Sequence, residues 1–178
     1  CDYCSCVSGT VGGSNGFGLS VETYAEGGVL GTTTYRVYVT TPNEDDFVSA
    51  ITGDENNPSF LRTSTSFYQN EFGGLTADQS NPFLFSVFPE LAYDSWVTIG
   101  IDQAPVPGDG NGAISLVQAD GDSWVEDFEA GGNMEINSFF GGSWFTTILD
   151  DNGVAGADQK VLLAQLTTDG TLSGQLYV

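Results

Sequence analysis

Thr34-Tyr35-Arg36-Val37-Tyr38-Val39-Thr40 is the stretch that decides the fold class. Side chains on a strand alternate between two faces, so Tyr35, Val37 and Val39 fall on one side, with Arg36 and Tyr38 on the other. Leu19-Ser20-Val21-Glu22-Thr23-Tyr24-Ala25 alternates in the same way. Working outward, Phe47-Val48-Ser49-Ala50-Ile51 lies between turn clusters at 42–46 and 53–58, and Thr65-Ser66-Phe67-Tyr68 follows. Trp96-Val97-Thr98-Ile99-Gly100-Ile101 reads as a central strand. Ala113-Ile114-Ser115-Leu116-Val117, Met134-Glu135-Ile136-Asn137, Trp144-Phe145-Thr146-Thr147-Ile148-Leu149, and the runs 160–166 and 172–178 complete the set. About ten strands at irregular spacing predict an all-β fold, a two-sheet antiparallel sandwich of jelly-roll type with Gly- and Asp-rich loops. The run Asn81-Pro82-Phe83-Leu84-Phe85-Ser86-Val87-Phe88-Pro89 is apolar on every face and reads as a buried helical turn or a covering loop.

Composition agrees. The chain has 178 residues, of which 24 are Gly, 40 % are hydrophobic and 12 % are aromatic, enough for one sizeable core. Residues 1–16 read as a Cys-containing tail with a Gly/Ser linker, and 17–178 as a single β-sandwich domain. No run of apolar residues is long enough to span a bilayer as a helix.

Charge narrows the function. Three Lys+Arg against 24 Asp+Glu give a net charge of -21. So few cations cannot neutralise phosphates, which argues against nucleic acid and anionic lipid surfaces as main partners. The chain has no His, which removes Ser-His-Asp and Cys-His catalysis and most zinc sites. Glu126, Asp127, Glu129 and Glu135 raise the question of a glycoside hydrolase, but neighbouring strand positions point to opposite faces. Only Arg36, Arg62 and Lys160 could serve as charge partners, so a non-enzymatic role is the expectation.

Cys1, Cys4 and Cys6 hold every thiol in the first six residues. No fourth Cys and no His is present to complete a zinc site, so disulfides, one of them to another chain or segment, are expected. A Cys at position 1 is alternatively the lipidated end of a bacterial lipoprotein, and any leader lies outside this chain. Asp109-Gly110-Asn111, Asp120-Gly121-Asp122 and Asp150-Asp151-Asn152-Gly153 reaching Asp158 offer the oxygens calcium takes, or else the ordinary chemistry of Asx turns. The calcium candidates are Asp109, Asn111, Asp150, Asp151, Asn152 and Asp158. Trp96, Trp124 and Trp144 are either a sugar-stacking platform or core residues. Leu172-Ser173-Gly174-Gln175-Leu176-Tyr177-Val178 puts Leu172, Leu176 and Val178 on one face, as an unprotected or donated edge strand would.

Tyr93-Asp94-Ser95-Trp96-Val97-Thr98-Ile99-Gly100 resembles a recurrent acidic β-domain of large secreted proteins of marine bacteria and algae. Phe128-Glu129-Ala130-Gly131-Gly132, Gly141-Gly142-Ser143-Trp144-Phe145 and the run 161–174 (VLLAQLTTDGTLSG) carry the same resemblance, which extends from about Thr34 to the end. It implies an extracellular or cell-surface setting and carries no catalytic residue. The expected function is a non-catalytic extracellular structural module that assembles with copies of itself into a filament, sheath or appendage. The alternative is a carbohydrate-binding or adhesive module with calcium-stabilised loops and glycan partners.

Overall fold

The computed structural model describes residues 9–12 and 16–178, and it is all-β and sandwich-like. Cys1, Cys4 and Cys6 lie outside the described residues. Its organising element is β10 (Lys160–Thr168), whose sequence KVLLAQLTT is buried at every position after the first. Such a near-continuous apolar run belongs in the middle of a sheet, covered on both faces. On one side β10 pairs antiparallel with β3 (Thr33–Thr40), and on the other with β6 (Trp96–Val97). β2 (Gly18–Glu26) and β1 (Gly9–Gly12) extend the sheet to the order β1-β2-β3-β10-β6. β1 therefore falls inside the stretch that reads as a linker. Val37 and Val39 of β3 point into the core as the alternation predicts.

The remaining strands form two three-stranded antiparallel sheets. One has β5 (Ser59–Thr63) between β8 (Met134–Ile136) and β11 (Leu172–Gln175). The other has β9 (Gly142–Phe145) between β4 (Ala50–Gly53) and β7 (Ser115–Gln118). They are stitched where Thr52 N donates to Tyr177 O (2.9 Å) and Ser59 Oγ donates to Thr52 O. All three sheets feed one buried cluster that includes Val39, Ile51, Leu61, Ile136, Trp144 and Leu163.

Several elements differ from the sequence expectation, each for a local reason. Residues 96–101 lie at the sheet's edge, and only two of them form ladder pairs. Leu163 is an extra residue in β10, and beyond that slip Thr98 N and Gly100 N follow the strand by bonding Leu163 O and Leu162 O, both at 2.8 Å. Gly100 then turns with φ +76°, and a Cβ there would overlap the Asn152 carbonyl oxygen. β5 escapes the pattern because its inward residues include Ser59 and Thr63 around Leu61, while Phe60 and Arg62 point outward with the guanidinium over the ring. Residues 65–68 are not a strand, and β4 begins at Ala50 rather than 47. The apolar run 81–89 forms a 3-10 turn at Pro82–Leu84 and leads into another at Pro89–Tyr93, with its side chains mostly in water rather than buried.

The clash at Gly100 gives a direct test. Gly100→Ala should lower stability by about 3 kcal/mol or more in urea melts, combining left-handed backbone strain with overlap against a backbone atom. Gly27→Ala, at φ +70° with open space around it, should lose only about 1 kcal/mol.

Candidate functional site

The only α-helix among the described residues, α1 (Trp124–Glu129), carries the acidic run. Trp124 and Phe128 stand four apart, so both enter the core while Glu126, Asp127 and Glu129 face outward. Strand alternation is therefore the wrong geometry for this run. Ser123-Trp124-Val125-Glu126, a Ser followed three residues later by Glu, is the start signal that could have identified it. Gln118 fixes the helix from β7: its Oε1 accepts from Val125 N and its Nε2 donates to Glu126 Oε2, both at 2.8 Å.

Beside α1 lies an open hollow of about 600 Å³ whose lining includes Asp122, Ser123, Asp127, Asn133 and Glu135. Each carboxylate already has a partner. Asp122 accepts from Ser138 Oγ, Asp127 from Ser123 Oγ, and Glu135 pairs with Arg62 at 2.7 Å. Glu129 is absent from the lining.

Two of the three acidic loops are brought together. Asp151 N donates to Gly110 O (2.8 Å), and Gly112 N donates to Asn152 Oδ1 (3.2 Å). Asn152 is buried; its Nδ2 donates to Ile99 O at 2.8 Å, so it ties both loops to the 96–101 segment. Bonds from the Thr147 hydroxyl and amide and the Thr146 hydroxyl hold Asp150 below the usual carboxylate range. Backbone amides of Val106 and Asn111 do the same for Asp109. These are turn-closing bonds, and Asn111 takes part through its own amide. Asp158 stands apart, lining a second hollow with Glu22, Tyr38 and Lys160. Among the described residues no three Asp, Glu, His or Cys side chains are grouped to hold a metal ion.

The tryptophans are core residues. Trp96, Trp124 and Trp144 are all buried, and Trp144 Nε1 donates to Thr98 O at 3.0 Å. None presents a ring face to solvent, so the platform reading does not describe these three side chains. The block around Trp96 has structural duties throughout: Ser95 Oγ accepts from Thr167 N (2.9 Å) and Thr98 Oγ1 donates to Ile101 O (2.7 Å). At the C-terminus, β11 pairs with β5 of its own chain, and Leu172 and Leu176 pack against the core. β11 is nevertheless an edge strand of its sheet, and Val178 is exposed.

Sequence reasoning missed the exposed apolar loops flanking β9. Phe139 and Phe140 are 70 % and 82 % exposed before it, with rings edge to face at 5.0 Å, and Ile148 and Leu149 are 82 % and 89 % exposed after it. The sequence places Ile148 and Leu149 in the strand that starts at Trp144; β9 in fact ends at Phe145. No helix among the described residues is long and apolar enough to cross a membrane.

Burial of all three indoles predicts weak quenching of tryptophan fluorescence by acrylamide in the native protein, rising sharply in denaturant. Native quenching close to that of free tryptophan would place at least one ring on the surface.

No family model matches the sequence, and no curated protein or solved structure was found similar to it.

Proposed function

We propose that this chain is a non-catalytic extracellular structural module that associates with copies of itself. The observation that carries the reading is the pair of uncharged apolar tips, Phe139-Phe140 and Ile148-Leu149, beyond opposite ends of β9. Large side chains held in water on loops favour burial against a partner. Two different patches at opposite ends of one strand suit a head-to-tail contact, which propagates into a filament when rotation does not close it. The edge strand β11 supplies a second surface for the same purpose. Against catalysis stand the missing His and the engagement of all three cations with carboxylates: Arg36 with Asp102 at 3.1 Å, Arg62 with Glu135, and Lys160 with Glu22.

A charge of -21 opposes close approach of copies, and salt shortens that repulsion to about 3 Å at molar ionic strength. Assembly should therefore rise with salt. Sedimentation velocity and negative-stain microscopy in high salt should find higher-order species, lost in Phe139→Ser/Phe140→Ser and in Ile148→Ser/Leu149→Ser with the fold intact by circular dichroism. A parent that stays monomeric at high concentration in high salt overturns the reading.

A second reading, an adhesive or glycan-binding module with calcium-stabilised loops, is favoured by the approach of loop 109–112 to loop 150–152. Calcium there would raise the melting temperature at fixed ionic strength, and a chelator would reverse it. An unchanged midpoint removes this alternative.

A further inference from the structure

Resting on the self-association proposed above, we infer that two copies join edge to edge along β7 about a two-fold axis. β7 (Ser115–Gln118) is an outer strand of the β4-β9-β7 sheet and pairs with β9 alone. One bond sets the phase of this sheet. Thr146 N donates to Ser49 O at 2.9 Å, and Ala50 lies opposite Phe145. Antiparallel ladders alternate, so Trp144 and Gly142 turn their backbone groups toward β4, and Phe145 and Ser143 turn theirs toward β7. Ser115 and Val117, opposite Phe145 and Ser143, therefore bond β9. Ile114, Leu116 and Gln118 face the open edge. Two contacts agree with this phase: Thr52 N, on the outer edge of β4, bonds Tyr177 O, and Ile114 N meets Asp78 Oδ1 at 3.3 Å. Among the described residues, no other strand or loop backbone bonds the amides and carbonyls of Leu116 and Gln118 on that side.

An open row of N–H and C=O groups is a template for another strand, and proteins ordinarily blunt it with Lys, Pro, a bulge or a covering element. β7 has no charge, proline or bulge: the run 112–119 (GAISLVQA) is neutral in a chain of net charge -21. The occupant is a second copy because the edge is self-complementary. Antiparallel pairing centred on Val117 sets Leu116 of each copy opposite Gln118 of the other, at the positions that exchange backbone bonds. Val117 then faces its own copy at the close, non-bonded position, with about 4.5 Å between Cα atoms. Val117 is 49 % exposed in the single chain, and pairing gives it an apolar cross-strand neighbour.

The same axis brings the unlike apolar tips to one another. Ser138 Oγ donates to Asp122 Oδ2, which ties the Phe139-Phe140 turn to the loop leaving β7 at its Gln118 end. Asp151 N donates to Gly110 O, which ties the segment after Ile148-Leu149 to the loop entering β7 at its Ser115 end. Antiparallel pairing sets the Gln118 end of one copy beside the Ser115 end of the other. Each Phe139-Phe140 tip thus falls at the same end of the joint as the partner copy's Ile148-Leu149 tip, and the tip contact closes into a pair. The outer edge of β11 is left to extend it. Acids stand at both ends of β7, Asp78 at Ile114 and Glu126 at Gln118, with Asp120 just beyond. Pairing sets these like charges near one another, so the dimer forms in high salt and parts in low salt.

Disulfide trapping in high salt reads the register, in a chain carrying Cys1→Ser, Cys4→Ser and Cys6→Ser. With a mild oxidant, Val117→Cys should yield a covalent dimer. Ser115→Cys should not, because the two copies of that position stand roughly 14 Å apart along the strands. In the otherwise unaltered chain, Val117→Glu sets like charges directly opposite one another at an exposed position. It should weaken dimerisation on the order of tenfold or more by sedimentation velocity, with circular dichroism unchanged. Association that persists unchanged in Val117→Glu, or trapping at Ser115→Cys as readily as at Val117→Cys, overturns the β7 pairing and leaves tip-mediated association standing. A parent that stays monomeric in high salt overturns both.

Discussion

Burial of β10 from Val161 to Thr168 is the constraint on which the other elements depend. A strand covered on both faces must have its backbone groups paired on both edges, because an unpaired buried peptide group costs as much as a lost hydrogen bond. β3 satisfies one edge over most of its length. The other edge has only two ladder pairs from β6, so Thr98 and Gly100 complete it with single amide bonds around the extra residue Leu163. That requirement explains why the 94–100 block is so specific. Its Asp holds the 70–74 loop, its Ser accepts from β10, its Trp fills the core, and its Gly lets Asn152 approach.

The polar side chains inside the sandwich serve the same need. Thr34 and Thr167 share a hydroxyl bond at 2.7 Å, and Thr63 and Thr168 another at 2.8 Å, so buried hydroxyls satisfy each other across strands. The three cations act as cross-strand pins, each pairing with an acid on another element or loop. Most of the remaining acids sit in water, where carboxylates keep their solvation, and some, Asp46, Asp54, Asp109 and Asp150 among them, close turns through backbone amides. Asp94 is the exception, a carboxyl inside the protein with hydrogen bonds but no counter-charge.

The fold's surface divides in character. Acidic loops cover much of it, yet Phe83, Phe139 and Phe140 stand out from neutral stretches, and Ile148 and Leu149 stand exposed just before Asp150-Asp151. A charge of -21 opposes close approach of copies. Under the self-association proposed above, contacts would fall on these apolar side chains rather than on the acidic loops.

The sequence alone determined the fold class, because period-two alternation at Thr34–Thr40 and at Leu19–Ala25 places alternate side chains on opposite faces, as strands do. It also determined the lack of phosphate-binding charge and of His chemistry, which are matters of composition. Tertiary structure decided what single runs could not. β5 was illegible because Ser59 and Thr63 face inward, where their hydroxyls bond Thr52 O and Thr168 Oγ1. The Trp residues were ambiguous because an indole beside a strand suits core and surface equally, until facing sheets covered all three. The acidic loops looked alike, and only long-range pairing joined 109–112 to 150–152 while leaving Asp158 beside Lys160. Asp94 was one carboxylate among 24 acidic residues. Its distinction comes from desolvation, which depends on everything packed around it and on nothing in its own neighbourhood of sequence.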